Sequence, residues 1–491
     1  MRVSKHVLMV CVVGALVACG STVAGSQPAD ETFAATSVIA VPIAPGNPRH
    51  GLGSFDIGFD DPVLQLYLLA DRSNAGLDVV DTSALGSISG VLAAGQFVGL
   101  TCVNPPPIAP RTVVDFPTGD CGGGSGPNGV ITVHQKHDLN EAWAGDAPML
   151  SFSCSNPPPT TTTVCVATVV TPSSVKVVDL KTGGVTHTIL TGTTGPSGTF
   201  AGTRRADELC WDPRENLVLV ANDEAVDNYI SFISTDTYSV VDQIKLDGSD
   251  KTHNAGKVNA TNGIEQCAWD PRTRLFYLNI PENNGPGDDS KPGAVMVIDP
   301  KTLQMVNLFS VDHTKCAGPQ GMAIGPDHQI LLGCNAAGPD SVIIDERDGS
   351  LIADLTGRSG ADESWYNPGD NHYLIASSGR TVGPRLGVAD AVEGKTVGAL
   401  DSPAVSAGGS HSVAADPFKG HVFVPVNNGA GASSLICSTA SGGIIPDSHG
   451  CIAVFTSTGP ADKCSVSGAA VVALQFDTLK LTKLLCPPTA P

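Results

Sequence analysis

Seven polar residues occupy one position of a repeated pattern, just before a short apolar strand that ends in a turn. Their types and spacing make them the side chains best suited to chemistry. The set is Asp56, Asn128, Asp207, Glu265, Gln320, Asp362 and His411, with Glu208 and Glu363 beside two of them. Carboxylate and amide oxygens suit Ca²⁺ or Mg²⁺ better than soft metals. A histidine among carboxylates has a raised pKa, which suits a general base or a further ligand.

Two interpretations of these residues stay open at this point. Polar side chains around a channel can simply face water. Alternatively, they form a ligand-binding ring, with Glu265 and His411 as candidate catalytic residues. In that case Asp207, Glu265 and Asp362 are candidate ligands of a metal ion, with calcium as the cofactor the oxygen-rich set favours.

The positions belong to a repeat of about 40–60 residues. Each unit contains a short strand, a turn that most often reads Asp-Pro, a second apolar strand and two further strands. Proline fixes φ and lacks an N–H donor, which a turn between antiparallel strands tolerates. Seven such units predict an all-β fold, a seven-bladed β-propeller with four-stranded antiparallel blades around a central tunnel.

Several segments are insertions into this predicted propeller or candidates for its closing strand. Insertions rich in Pro, Gly and Thr at 103–128 and 155–164 interrupt the region of the second unit. In most propellers, a strand from one terminus of the chain completes the blade that the other terminus forms. The candidates for this closing strand are Thr36–Pro42 and Ala469–Phe476. We also expect Trp211, Trp269 and the Trp365-Tyr366 pair to pack between blades, because they lie on inner strands near the turns.

The repeat phrases resemble the YVTN/YncE-like family of secreted seven-bladed propellers. The likeness is carried by Tyr67–Asp81, Glu141–Asp146, Val220–Asp223, Ser410–Pro417 and Val422–Pro425, and spans roughly residues 50–455. It implies the fold and says little about activity, because one fold hosts many functions. Some relatives in this family are described as lactonases and others as surface proteins.

A second ring of Asn and Asp residues closes the following strand of each unit. It comprises Asp71, Asp146, Asn222, Asp223, Asn279, Asn335 and Asn427. These residue types cap strands and tolerate left-handed backbone, so we expect a turn role. Mixed Asn and acid ligands also resemble the calcium lactonases of the gluconolactonase-like propellers, although that family's ligands cannot be matched to this chain one by one. The sequence has no G-x-S-x-G elbow and no H-E-x-x-H motif, which argues against serine hydrolase and zincin mechanisms.

The N-terminus has the pattern of an export signal. Basic Arg2 and Lys5 precede an apolar run from Val7 to Ala18, which is too short to span a bilayer. The run ends at Leu16–Gly20, a segment that resembles the lipobox of bacterial lipoproteins and implies lipidation of Cys19. Ordinary cleavage near residues 23–25 is the alternative. The predicted organisation is 1–18 signal peptide, 19–48 tether, 49–458 propeller and 459–491 C-terminal extension, with a candidate closing strand at either end.

Cysteine usage and charge agree with export. Of 14 cysteines, 12 remain once Cys11 and Cys19 are set aside, an even number that predicts disulfides. Close pairs are Cys102/Cys121, Cys154/Cys165, Cys316/Cys334, Cys437/Cys451 and Cys464/Cys486, which leaves Cys210 and Cys267. The formal charge of −20 disfavours nucleic acid and anionic lipid as partners.

These observations favour a binding module over an enzyme. The main hypothesis is an exported propeller, lipid-anchored through Cys19 in the cell envelope (periplasm or outer membrane in a Gram-negative cell). It would bind an envelope protein or a small molecule through its tunnel rim and loops. The alternative is a calcium-dependent, lactonase-like hydrolase, and a third option is an accessory subunit of a periplasmic redox enzyme. The absence of a C-x-x-C-H motif argues against covalent haem in this chain. We expect a monomer.

Overall fold

The chain is built almost entirely of short antiparallel strands. The computed structural model describes residues 33–85, 90–99, 112–113, 125–134, 140–154, 164–193, 204–335, 340–356, 360–378, 384–391, 412–428, 436–441, 445–446 and 449–457. Within these ranges, no helix is long and apolar enough to cross a bilayer.

The first strand, β1 (Phe33–Ile39), precedes the first blade. That blade contains β2 (Gly58–Asp61), β3 (Leu66–Asp71), β4 (Gly76–Asp81) and β5 (Gly90–Leu92). Next come β6 (Thr112–Val113), the inner strands β7 (Val130–His134) and β8 (Asn140–Asp146) of the second blade, and the hairpin β9 (Met149–Cys154) and β10 (Val164–Thr171). The second blade is completed by β11 (Ser174–Asp179) and β12 (Val185–Leu190).

The next three blades follow without a long interruption. The third contains β13 (Arg205–Asp212), β14 (Leu217–Asp223), β15 (Tyr229–Ser234) and β16 (Ser239–Lys245). The fourth contains β17 (Cys267–Asp270), β18 (Leu275–Ile280), β19 (Gly293–Asp299) and β20 (Gln304–Val311). The fifth contains β21 (Pro319–Ile324), β22 (Gln329–Cys334), β23 (Asp340–Asp345) and β24 (Leu351–Thr356).

The sixth and seventh blades complete the propeller. The sixth contains β25 (Ala361–Asn367), β26 (His372–Ser378) and β27 (Pro384–Asp390) in its described part. The seventh contains β28 (Ala414–Asp416), β29 (His421–Val426), the short helix α1 (Ile436–Ala440) and β30 (Cys451–Ser457). The seven antiparallel sheets confirm the predicted seven-bladed β-propeller.

The N-terminal segment closes the propeller. The strand order of the seventh blade is β1-β30-β29-β28, and Phe33 pairs with Ser457 while Ile39 pairs with Ile452. Of the two predicted closing strands, the one overlapping Thr36–Pro42 therefore takes the outer edge of this blade. The other candidate, Ala469–Phe476, lies outside the described residues.

The insertion in the second blade forms a sheet of its own. Strands β6, β10 and β9 make a separate three-stranded sheet, and the blade resumes at β11, which pairs with β8. The sequence predicted this second blade and the position of the insertions but not the β9–β10 hairpin. Most of 103–128 and 155–164 lies outside the described residues.

Both faces of a blade are apolar because each blade packs between two others. Strand β14 is buried along its whole length. Leu219 packs with Phe276 of the fourth blade, whereas Val218 packs with Trp143 of the second blade. Successive side chains of a strand point to opposite faces of the sheet, so each strand packs against both neighbouring blades. Burying a side chain of this size contributes roughly 1.5–3 kcal/mol to the stability of the fold.

Three disulfides are present among the described residues. They join Cys210 to Cys267, Cys316 to Cys334 and Cys437 to Cys451. Cys154 and Cys165 are register partners on β9 and β10. Disulfides persist in oxidising compartments, so these three indicate an exported protein. Cys102, Cys121, Cys464 and Cys486 lie outside the described residues.

Candidate functional site at the tunnel rim

In the third to sixth blades, a β-bulge at the start of the innermost strand sets the rim residue and the residue after it opposite one residue of the next strand. The strand register shifts across 207–208, 320–321 and 362–363 in the third, fifth and sixth blades. In the fourth blade, Glu265 N–H donates to Asn279 O at 3.0 Å, and Asn279 N–H donates to Gln266 O at 3.2 Å. A bulge sets two residues opposite one and re-aims their side chains. This geometry explains why a second polar residue often follows the rim residue.

Arg72 links the rims of the first and second blades. Its guanidinium donates to Asp56 Oδ2 at 2.5 Å and to Asn128 Oδ1 at 2.8 Å. The amide of Asn128 donates in turn to the backbone oxygen of Ala206 in the third blade at 3.0 Å. Two predicted rim residues are therefore brought together, and a cation that the sequence analysis did not single out connects them.

Arg205 is the cation that contacts the rim carboxylates of the third blade. Its Nη2 atom lies 2.7 Å from Asp207 Oδ2 and 2.9 Å from Asp223 Oδ2. Asp223 also accepts the backbone N–H of Ile264 at 2.9 Å, which ties the cluster to the fourth blade. Asp207 is thus neutralised in part by a guanidinium of its own strand, two residues earlier.

Burial and crowding of carboxylates shift the ionisation of this cluster. Burial raises the pKa of Asp207 to about 7, with Arg205 opposing that rise and Asp56 adding to it. Burial, followed by the charges of Asp223 and Asp362, raises the pKa of Glu265 well above its usual value. The rim therefore carries less negative charge at neutral pH than its composition suggests.

A polar cleft of about 250 Å³ opens between the third, fourth and fifth blades. It is lined by Asp223, Glu224, Ala225, Asn262, Gly263, Glu265, Gln320 and Asn335. Gln320 Nε2 donates to Glu265 Oε1 at 3.2 Å, so two predicted rim residues lie in contact. Glu265, Gln320 and Asp362 are half-buried.

Below the rim, buried side chains link neighbouring blades by hydrogen bonds. Gln266 Oε1 accepts the backbone N–H groups of Met322 at 2.6 Å and Ser364 at 3.1 Å, which links the fourth, fifth and sixth blades. Glu363 Oε2 accepts from Ser412 Oγ at 2.7 Å and from Val413 N at 3.0 Å. Glu208 and Glu363, predicted as neighbours of the rim, lie at this deeper level and line a cavity on its far side.

The candidate metal ligands do not form one cluster. In the described part of the chain, no group of three or more His, Cys, Asp or Glu residues is arranged to hold a metal ion. Asp207 contacts Arg205, and Glu265 contacts Gln320. The other candidate catalytic residue, His411, lies outside the described residues.

Residues of the second ring have structural partners, and the predicted turn role is seen at Asp71. Asp71 accepts the backbone N–H groups of Ser73 and Asn74 at 2.8 and 3.0 Å. Asp146 pairs with Lys176 at 2.8 Å. Asn279 Nδ2 donates to the backbone oxygens of Gln320 and Gly321 at 2.9 and 2.8 Å, which joins two blades. Asp223 and Asn335 also line the rim cleft.

Arg72 and Arg205 are the site residues that sequence reasoning missed. Arg205 stands two residues before Asp207, so strand alternation could have placed both on one face. Arg72 directly follows Asp71 at the end of β3 and has no counterpart at that position in the other units. A search for acids and amides alone passes over both cations.

Comparison with known proteins does not assign this chain to a family. No family model and no curated protein matches this chain. Among solved structures, it is similar to a chain of the mitotic checkpoint complex, at 11% identity and a TM-score of 0.48, over 86% of this chain and 96% of that one. It is also similar to the Neurospora crassa Pan2 WD40 domain, at 9% identity and a TM-score of 0.48, over 90% of this chain and 99% of that one.

Proposed function

We propose that this chain is an exported, lipid-anchored propeller of the YVTN/YncE-like type that binds a partner through its tunnel rim. The observation that carries the proposal is the rim itself, where ion pairs and hydrogen bonds between blades hold the polar groups. Arg72 fixes Asp56 and Asn128, Arg205 fixes Asp207, and the Glu265–Gln320 pair borders an open polar cleft.

A rim held in this way suits recognition. Side chains that are already fixed lose little conformational freedom on binding, so more of the contact energy appears as affinity. Three acidic side chains, Asp223, Glu224 and Glu265, line the cleft. A partner that presents hydrogen-bond donors, such as a basic side chain of another envelope protein, complements this chemistry.

The geometry favours binding over metal-dependent hydrolysis. A lactonase-like mechanism needs several oxygen ligands around one divalent ion. Asp207 instead faces the guanidinium of Arg205 at 2.7 Å, so a fixed cation lies where its carboxylate would meet a metal. Glu265 accepts from an amide, which is compatible with either activity.

A charge reversal at the cleft tests the proposal. Glu265→Lys should abolish capture of an envelope partner by cross-linking in intact cells. The variant replaces a hydrogen-bond acceptor with a positive charge, which repels a basic side chain of the partner. Asp348→Lys is the matched control, since Asp348 lies at the exposed turn between β23 and β24 and carries the same change in charge type. Equal capture by both variants and the parent protein would refute rim-mediated binding.

A further inference from the structure

The tunnel contains a second space, separate from the rim. A cavity of about 310 Å³ lies among the innermost strands of six blades, and Gln266 and Glu363 are among the residues that line it. The wall residues nearest the Asp-Pro turns are half-buried, whereas Glu208, Gln266 and Glu363 are buried. The cavity therefore opens at the end of the strands opposite the rim, and a molecule can enter it without passing the rim cleft.

Aromatic side chains form much of the cavity wall. Trp211, Trp269, Trp365, Tyr366 and Phe59 come from four different blades and all line it. Phe59 and Trp365 meet edge to face with their ring centroids 5.6 Å apart. As predicted, Trp211, Trp269, Trp365 and Tyr366 pack against neighbouring hydrophobic clusters, and they also line the cavity.

One acid at the inner end of the cavity has no partner among the described residues. Gln266 and Glu363 are both occupied by hydrogen bonds to neighbouring blades. Glu208 is 6% exposed and lines the cavity, yet its carboxyl group forms no hydrogen bond or ion pair with any residue that the structure describes. A buried carboxyl group without a partner is costly, and a ligand that supplies one would relieve that cost.

We infer that this cavity binds a small organic ammonium ion whose charged head lies between the aromatic rings and Glu208. Aromatic faces attract a desolvated cation, and quaternary ammonium groups are often recognised by such rings. Burial and the neighbouring acids raise the pKa of Glu208 well above its usual value, and a bound cation would lower it again, so Glu208 becomes a direct charge partner when the ammonium ion is present. The formal charge of −20 also favours a cation over an anion as the ligand. The site is independent of the proposed rim function, because it uses another mouth of the tunnel and other residues.

Intrinsic fluorescence reports directly on this site. Three of the chain's four tryptophans line the cavity, and the fourth, Trp143, is fully buried in the second blade. Choline is the probe, and its neutral carbon isostere, in which a tert-butyl group replaces the trimethylammonium group, is the matched ligand control. We expect a saturable change with choline and binding of the isostere at least about tenfold weaker.

Variants separate the cavity from the rim. Glu208→Gln keeps the shape of the side chain and should remove most of the preference for choline over the isostere. The rim variant Glu265→Gln should bind choline like the parent protein. Absence of a saturable change with choline in folded parent protein, or equal affinity for choline and the isostere, would overturn the inference. That comparison needs no variant and decides the matter even if Glu208→Gln fails to fold.

Discussion

Arg205 and Asp223 come from adjacent strands of the third blade, and their side chains meet with Nη2 and Oδ2 2.9 Å apart. The same guanidinium contacts Asp207, so one cation compensates two buried carboxylates. Removing one partner of a buried ion pair typically costs about 3–5 kcal/mol, because the remaining charge is left uncompensated. This contact therefore makes Arg205 a stability residue as well as a rim residue.

Arg205→Met should lower the melting temperature at neutral pH, and the deficit should shrink towards pH 5. The reason is that burial already raises the pKa of Asp207 to about 7, and loss of the guanidinium raises it further. Protonation then removes the uncompensated charge as the pH falls. Thermal unfolding between pH 5 and 8 measures this, with Arg205→Lys as the control that keeps a cation. A deficit independent of pH would contradict the electrostatic account.

Metal analysis of the purified soluble form tests the calcium alternative. Since Arg205 occupies the carboxylate face of Asp207, we expect no stoichiometric divalent ion and no change of melting temperature between calcium and chelator. Arg205→Met should respond more to calcium than the parent protein, because two carboxylates then lack a cation. A tightly bound ion that is lost on neutralising Asp207, Glu265 and Asp362 would instead favour the lactonase-like hypothesis.

Asp71 and Asp78 provide a separate pH-dependent element. Both side chains are fully buried in the first blade, and burial raises the pKa of Asp71 to about 7 and that of Asp78 well above its usual value. The folded state therefore binds more protons than the unfolded state between about pH 4 and 7, so stability falls as pH rises through this window.

Asp78→Asn should flatten that slope. It removes one of the two carboxyl groups, while Asp71 keeps its bonds from Ser73 and Asn74. We expect the melting temperature at neutral pH to rise by at least about 2 °C. Asp81→Asn, at the exposed end of the same strand, is the control and should leave the slope unchanged. A parent protein whose stability does not fall from pH 4 to 7 would refute the prediction.

The architecture could be predicted from sequence because it rests on a repeated pattern. The Asp-Pro turn recurs with an apolar strand on each side, and each occurrence adds independent support for one blade. The closing strand could not be chosen, because β1 and Ala469–Phe476 have similar apolar patterns and only pairing with β30 distinguishes them. The hairpin β9–β10 was missed because Pro and Thr dominate the sequence between its strands.

The site was predicted less completely than the fold. The spacing found Asp56, Asn128, Asp207 and Glu265 but treated each as an isolated acid or amide. Their chemistry depends on Arg72 and Arg205, whose partners are set by contacts between strands and blades that no local pattern encodes. The depth of Glu208 likewise follows from a bulge, which sequence alternation alone would not place.

The proposed lipid anchor gives a prediction about location. Cys19→Ser should move the protein from the membrane fraction to the soluble fraction and abolish incorporation of labelled fatty acid. Cys11→Ser, within the predicted signal peptide, is the control and should change neither result. If the parent protein is soluble and unlabelled, ordinary cleavage near residues 23–25 replaces the lipoprotein proposal, and the rim proposal remains testable.

Gly145 lies opposite the bulge of the second blade, and the backbone of the third blade passes directly over it. A Cβ atom at this position would lie 2.3 Å from the backbone oxygen of Ala206 and 2.7 Å from that of Asp207. Backbone cannot rotate away as a side chain can, so the two blades would have to separate. Overpacking of this kind typically costs about 1–3 kcal/mol.

Gly145→Ala should therefore destabilise the propeller and displace Asp207 from Arg205. Gly184→Ala is the matched control, because its nearest neighbour would be Thr182 Oγ1 at 3.9 Å. Chemical denaturation gives the stability difference between the variants. The pH dependence of the melting temperature reports on the Arg205–Asp207 pair. Equal free energies of unfolding for the two variants would show that the interface between these blades accommodates a methyl group without loss of stability. Close packing at Gly145 would then not be what holds the polar groups of the rim in place.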